Sequence, residues 1–119
     1  MIQRNIIKTE QAMYAIKNGE FDTKMITSKS KVIVILTQDW CPQWIDMKNW
    51  VYTLKLEEDI EIYEFEYNKT EYFNEFMSFK ESYWNNYYVP YLRFYKEGIL
   101  AKETNYIDKS KFMDIVKNL

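Results

Sequence analysis

The residue with the clearest potential for chemistry is Cys41, the only cysteine in this chain of 119 residues. Trp40 precedes it, Pro42 follows it, and the apolar run 32–36 lies upstream. That run predicts a strand buried on both faces, while Pro42 suits the first turn of a following helix. Cys41 is therefore expected at a strand-to-helix turn, where free backbone N–H groups and the helix dipole favour a nucleophilic thiolate.

The composition excludes several other kinds of site. The chain has no histidine, so Ser-His and Cys-His mechanisms are excluded, a zinc site is not expected, and a single cysteine allows no internal disulfide. The 16 basic and 18 acidic residues are interspersed and give a net charge of −2, which provides no basic patch for nucleic acid. No apolar stretch has membrane-spanning length and no apolar signal segment begins the chain. We expect a cytoplasmic protein without metal, cofactor, nucleic-acid partner or membrane association.

Apolar periodicity and capping residues predict the elements that position Cys41. The predicted strands are 6–7, 31–36, 60–67, 89–95 and 99–104. The first predicted helix is capped by Thr9 and ends at Gly19, and a single helical turn follows at 21–26. Further helices are predicted at 43–57, after a capping box of Asn68 and Glu71, and after a cap at Asp108. In the helix after Asn68, we expect Tyr72, Phe76, Phe79 and Tyr83 to pack in the core. This order predicts a single α/β domain over residues 1–119, with 1–30 as an N-terminal βα segment. Its mixed central sheet should have helices on both faces.

Two segments resemble the thioredoxin-like superfamily. The first is Trp40-Cys41-Pro42 behind its apolar strand, and the second is Val89-Pro90 followed by an apolar strand and the turn 96–98. The resemblance implies a three-layer α/β fold in which a cis Pro90 lies near Cys41. It also implies that Val89 offers its backbone to an extended substrate and that Trp40 shields the site. The implied groove is formed by Trp40, Pro42, Gln43, Trp44, Val89, Pro90 and Tyr91.

The chain also departs from the pattern of that superfamily. Trp44 occupies the position of the second cysteine of Cys-x-x-Cys, and Ile35 that of the usual buried acid. Glu64 falls where a lysine is often found on the next strand. Because Glu61, Glu64 and Glu66 interrupt that strand, we expect one of its faces to be partly solvated.

These features leave two functions open. In the first, Cys41 carries out monothiol exchange with a protein or peptide thiol or disulfide, and an external thiol such as glutathione resolves the mixed disulfide. A dithiol reductase is excluded, because Trp44 cannot attack a mixed disulfide. In the alternative, the chain is a redox-inactive module that binds a partner through an exposed apolar patch of Trp40, Trp44, Val89 and Tyr91. The two tryptophans would equally suit the core or a cover over the cysteine.

Overall fold

The computed structural model describes residues 2–56 and 59–119 of the chain. Within these residues, five strands form one mixed sheet in the order β1-β3-β2-β4-β5. The strands are β1 (Arg4–Ile6), β2 (Lys31–Thr37), β3 (Ile60–Glu66), β4 (Tyr91–Lys96) and β5 (Ile99–Thr104). Strands β1 and β2 run parallel to β3, while β4 is antiparallel to both β2 and β5.

Helices cover both faces of this sheet. The described helices are α1 (Thr9–Asn18), α2 (Thr23–Ile26), α3 (Pro42–Val51), α4 (Phe73–Ser82) and α5 (Lys109–Lys117). One apolar cluster joins α3 and α5 to the sheet, and a second joins α1, α2 and α4 to its other face. The predicted α/β class, element order and two-sided covering are therefore confirmed. None of the helices described here is both long and apolar enough to cross a lipid bilayer.

The central strand β2 carries the chain to the cysteine. Its apolar residues 32–36 have no exposed surface, because Val32, Val34 and Leu36 face one cluster while Ile33 and Ile35 face the other. This confirms the strand predicted to be buried on both faces. Burying each of these five apolar side chains contributes about 1.5–3 kcal/mol to stability. The strand β2 therefore anchors the loop that follows it.

Three predicted helix ends are wrong. The first helix is capped by Lys8 rather than Thr9, and the Gln11 side chain accepts a hydrogen bond from the Lys8 N–H at 2.8 Å. The helix predicted at 43–57 ends at Val51, where the Thr53 hydroxyl donates to the freed Trp50 carbonyl at 2.8 Å; residue 57 itself lies outside the described residues.

The third error concerns the cap predicted at Asn68. A 3₁₀ turn spans Tyr67–Lys69, and α4 begins only at Phe73. Asn68 is drawn instead to the loop before Cys41, where its amide accepts from the Asp39 N–H at 3.0 Å and donates to the Asp39 carboxylate at 2.7 Å. Tyr83 also leaves the predicted aromatic core: its side chain is exposed, although its ring stacks on Phe79.

The expectation that one face of β3 is partly solvated is wrong at Glu64. Its side chain is buried, and the Arg4 guanidinium binds both carboxylate oxygens at 2.6 and 2.8 Å. The Tyr52 hydroxyl donates a third hydrogen bond at 2.6 Å. A buried carboxylate is tolerated when an opposite charge and further donors satisfy it. Glu64 lies opposite Ile35 in the sheet.

Candidate functional site

Cys41 lies at the N-terminus of α3. It is the N-cap residue, Pro42 is the first helical residue, and the Cys41 carbonyl accepts from the Ile45 N–H at 3.0 Å. Proline fits this position because the N–H that it lacks would have no partner inside the helix. The predicted strand-to-helix turn is therefore confirmed, with the sulfur beside the positive end of the helix dipole.

The thiol faces the peptide that joins Val89 to Pro90. Sγ of Cys41 donates to the Val89 carbonyl oxygen at 3.6 Å, and the Val89–Pro90 peptide bond is cis. A thiol is a weak donor, so this contact positions the sulfur without holding it strongly. Cys41 is only 3% exposed. The thiol and the backbone of Val89 are thus adjacent, but the sulfur presents little surface to a reagent.

Trp40 and the loop around it form the solvent side of the site. The indole is 60% exposed, and its N–H donates to the Gln38 side chain at 2.6 Å. The Gln38 amide in turn donates to the Tyr67 hydroxyl at 3.3 Å. Together with the Asp39–Asn68 pair, these bonds hold the loop in one conformation while a large aromatic surface stays in water.

Trp44 is part of the core and is absent from the groove surface. The side chain is fully buried, and the indole N–H donates to the Glu66 carboxylate at 2.8 Å. An indole is buried at low cost when its N–H finds an acceptor. Trp44 therefore fills the interior behind Cys41 at the position where the resemblance implies a resolving thiol, and it corrects the groove expected from the sequence.

Glu66 is held as a carboxylate by three donors. Lys48 and Lys69 each approach it at 3.1 Å, in addition to the indole of Trp44. Partial burial alone would raise the pKa of Glu66, but the hydrogen bonds from Trp44, Lys69 and Lys48 outweigh it and lower the pKa to about 2. Glu66 therefore stays ionised near neutral pH and is a poor proton acceptor for the thiol.

This arrangement predicts an acid-dependent loss of stability. Because the pKa of Glu66 is lower in the folded chain than the ~4.3 of an unfolded glutamate, its contribution is complete above about pH 4.3 and disappears as the pH falls towards 2. Glu66→Gln should lower the free energy of unfolding by about 2 kcal/mol at neutral pH, since solvent partly screens the exposed lysine partners, and by little at pH 2. Urea unfolding across this range measures the difference, with the exposed Glu97→Gln as control. If the stability difference between the wild type and Glu66→Gln does not narrow in acid, the predicted role of the Glu66 carboxylate is contradicted.

The loop before Pro90 is fixed from the protein interior. The buried ammonium of Lys80 donates to the carbonyls of Asn86 at 2.9 Å and Tyr88 at 2.8 Å. Asn105 donates to the Tyr88 and Pro90 carbonyls at 3.3 and 3.2 Å. Burial lowers the pKa of Lys80 to about 8, as expected of an ammonium taken out of water. The backbone that faces the thiol is therefore preorganised.

Pro90 is also buried, and so is Tyr91, which together with Trp44 makes three residues removed from the predicted groove surface. The Tyr91 hydroxyl donates to Glu103 and accepts from the Arg93 guanidinium at 2.8 Å. Tyr87 and Tyr88, which the sequence reasoning missed, are exposed instead. They directly precede Val89, and this adjacency is the sequence signal that would have found them. The accessible side chains around the buried thiol and Pro90 are Trp40, Pro42, Gln43, Tyr87, Tyr88 and the half-buried Val89.

The comparisons with known proteins show the fold. No protein-family model matches the sequence, and neither does any curated protein. Among solved structures, thioredoxin O1 from Arabidopsis thaliana has a TM-score of 0.71 at 20% identity, covering 98% of this chain and 96% of its own. A mutant thioredoxin from Halobacterium salinarum has a TM-score of 0.69 at 14% identity, covering 98% and 89%. The thioredoxin of Malassezia sympodialis reaches 0.65 at 12%, covering 99% and 91%. The fold is therefore thioredoxin-like, as the two segments predict.

Proposed function

We propose that this protein carries out monothiol exchange with protein or peptide disulfides through Cys41. The observation that carries the proposal is the placement of the Cys41 sulfur at a helix N-terminus, 3.6 Å from the Val89 carbonyl. An extended partner that hydrogen-bonds to the backbone at Val89 would bring its own sulfur to this point. Trp44, buried behind the cysteine, supplies no second thiol.

The exchange proceeds in two balanced steps. The Cys41 thiolate attacks one sulfur of the partner disulfide, a new S–S bond forms, and the partner bond breaks. The departing sulfur takes the electron pair as a thiolate and is protonated from solvent. The thiolate of a low-molecular-weight thiol such as glutathione, or of a partner protein, then attacks the partner sulfur of the mixed disulfide. A new S–S bond forms to that sulfur, the bond to Cys41 breaks, and Cys41 leaves as a thiolate. This cycle suits a reducing compartment such as the cytoplasm, where such thiols are abundant.

A second function, redox-inactive partner binding, is favoured by a different observation. Cys41 is 3% exposed, whereas Trp40 is 60% exposed and Tyr88 is 72% exposed. Large aromatic side chains in water supply contact area at low entropic cost when a partner docks. In this role the cysteine acts as a small buried apolar residue, and the affinity comes from the aromatic surface.

The Cys41→Ser variant separates these two functions. With oxidised glutathione or an aromatic disulfide, the folded wild-type protein should gain one mixed disulfide per chain by mass spectrometry, and the variant should gain none. Serine preserves the size and the donor to Val89, so circular dichroism should show an unchanged fold. A folded wild-type protein that resists both disulfides, while its unfolded form reacts, would refute exchange and leave the binding role.

A further inference from the structure

Three exposed aromatic residues are adjacent in the chain to the buried thiol or to the carbonyl that it contacts. Trp40 lies immediately before Cys41, while Tyr87 and Tyr88 precede the Val89 carbonyl that the thiol contacts. We call Trp40, Tyr87 and Tyr88 the aromatic rim. Exposed apolar residues point to an interaction site when they are grouped rather than scattered singly.

The aromatic rim is exposed but stands on fixed backbone. Tyr88 is tied through its carbonyl to Lys80 and Asn105, and Tyr87 lies between Asn86 and Tyr88, both of which accept from Lys80. On the other side, the Trp40 indole is hydrogen-bonded to Gln38. Rigid supports of this kind reduce the entropy lost when a partner binds.

Two exposed carboxylates are connected to the segments that carry the aromatic rim. Asp39 is exposed next to Trp40 and bonds to Asn68. Asp46 is exposed on α3 and accepts from the Tyr106 hydroxyl at 3.0 Å, and Tyr106 follows the Asn105 that holds Tyr88. Carboxylates therefore lie on both sides of Cys41 along the chain, one next to Trp40 and one bonded to the residue that follows Asn105.

Three lysines next to these carboxylates, to their partners or to the aromatic rim are engaged with other groups. Lys48 and Lys69 are paired with Glu66, and the buried Lys80 points at two carbonyls beneath the loop. Aromatic faces and carboxylates both attract Lys and Arg side chains, the first through cation–π contacts and the second through charge-assisted hydrogen bonds.

We propose that the aromatic rim and the two carboxylates select polypeptide segments that carry Lys or Arg beside the reacting cysteine. This inference rests on the proposed function and names the substrate class for it. The partner would lie as an extended segment along the Val89 backbone, with its basic side chains over the aromatic rim and near Asp39 and Asp46.

The test uses two peptides that are identical except that two Lys or two Glu flank one cysteine, which is activated as a mixed disulfide with an aromatic thiol. Release of the aromatic thiol by the wild-type protein, followed by absorbance, should be about tenfold faster with the basic peptide at low salt. The preference should collapse at about 1 M salt, where the Debye length is roughly 3 Å.

Matched variants locate the effect. Asp39→Asn with Asp46→Asn should remove most of the preference, whereas Glu97→Gln, which removes a charge at the far end of β4, should retain it. Tyr88→Ala should slow the basic peptide several-fold, and Tyr14→Ala on α1 should not. If the wild-type protein reacts with the two peptides at equal rates, the inference is overturned while exchange itself stands.

A second measurement is independent of the thiol. Calorimetric binding of the reduced peptides to Cys41→Ser should also favour the basic peptide. If neither activated peptide reacts but the basic one still binds preferentially, exchange is wrong, and the preference for basic segments belongs to the redox-inactive binding role instead. If neither peptide reacts and binding shows no preference, both proposals are overturned.

Discussion

Replacing Trp44 by alanine is expected to lower the free energy of unfolding by about 4 kcal/mol. Truncating a fully buried tryptophan costs about 3–5 kcal/mol through lost burial and the cavity that remains, and the Trp44 side chain is fully buried. The change also removes the indole donor from Glu66, which leaves the carboxylate with Lys48 and Lys69. Equilibrium unfolding in urea, followed by circular dichroism, measures the loss.

Trp40→Ala is the matched control, because it removes the same side chain from an exposed position. Surface substitutions usually stay within about 0.5 kcal/mol, so this variant should be nearly as stable as the wild type. Trp44→Phe separates the two contributions: it keeps most of the volume, loses the hydrogen bond, and should cost about half as much as alanine. Equal losses for Trp40→Ala and Trp44→Ala would contradict the core position of Trp44.

The buried position of Trp44 also shows what could not be predicted from the sequence. The spacing places Trp44, Met47 and Val51 on one helix face, and all three are buried, yet the same pattern left open an exposed groove residue. The acceptor that allows the indole to be buried is Glu66, 22 positions along the chain. No local pattern reveals such a partner, because it depends on how β3 packs against α3.

Several local signals predicted the ends of elements and the centre of the sheet correctly. Pro42 begins α3, Gly19 ends α1 with a positive φ of 82°, and the Asp108 side chain caps α5 by accepting from the Lys111 N–H. The apolar run of β2 identified the centre of the sheet. Each depends on residues within a few positions, and backbone conformation or solvent exclusion leaves few alternatives.

The burial of charged side chains is the feature that the sequence patterns predicted least well. Patterns assign charged residues to solvent, but Glu64, Lys80 and Arg93 are all buried. Arg4 reaches Glu64 across 60 positions, and Glu20 reaches Arg93 across 73, at 2.6 Å in each case. These partners come together only when the sheet forms. Asn68 failed for the same reason, since the distant Asp39 replaces the local cap.

The presence of Trp44 in place of a second cysteine also affects the lifetime of a mixed disulfide on Cys41. A mixed disulfide on Cys41 is expected to persist until an external thiol arrives, because no second thiol exists in the chain and the position three residues on is filled by a buried indole. Its decay rate should therefore rise linearly with glutathione concentration from an intercept of zero. Turnover in insulin reduction with dithiothreitol should not exceed the background of dithiothreitol alone.

The measurement is mass spectrometry of the preformed mixed disulfide after excess reagent is removed, over a series of glutathione concentrations. Trp44→Cys supplies a second thiol and should give a non-zero intercept, but it also opens the cavity of Trp44→Ala and leaves Glu66 without its indole donor. Its exchange should therefore be read together with its stability, with Trp44→Ala as the control that shares the cavity without the thiol. Spontaneous release from the wild type, or clear turnover above the dithiothreitol background, would contradict a monothiol cycle, because this chain holds no other group that can displace the partner sulfur from Cys41.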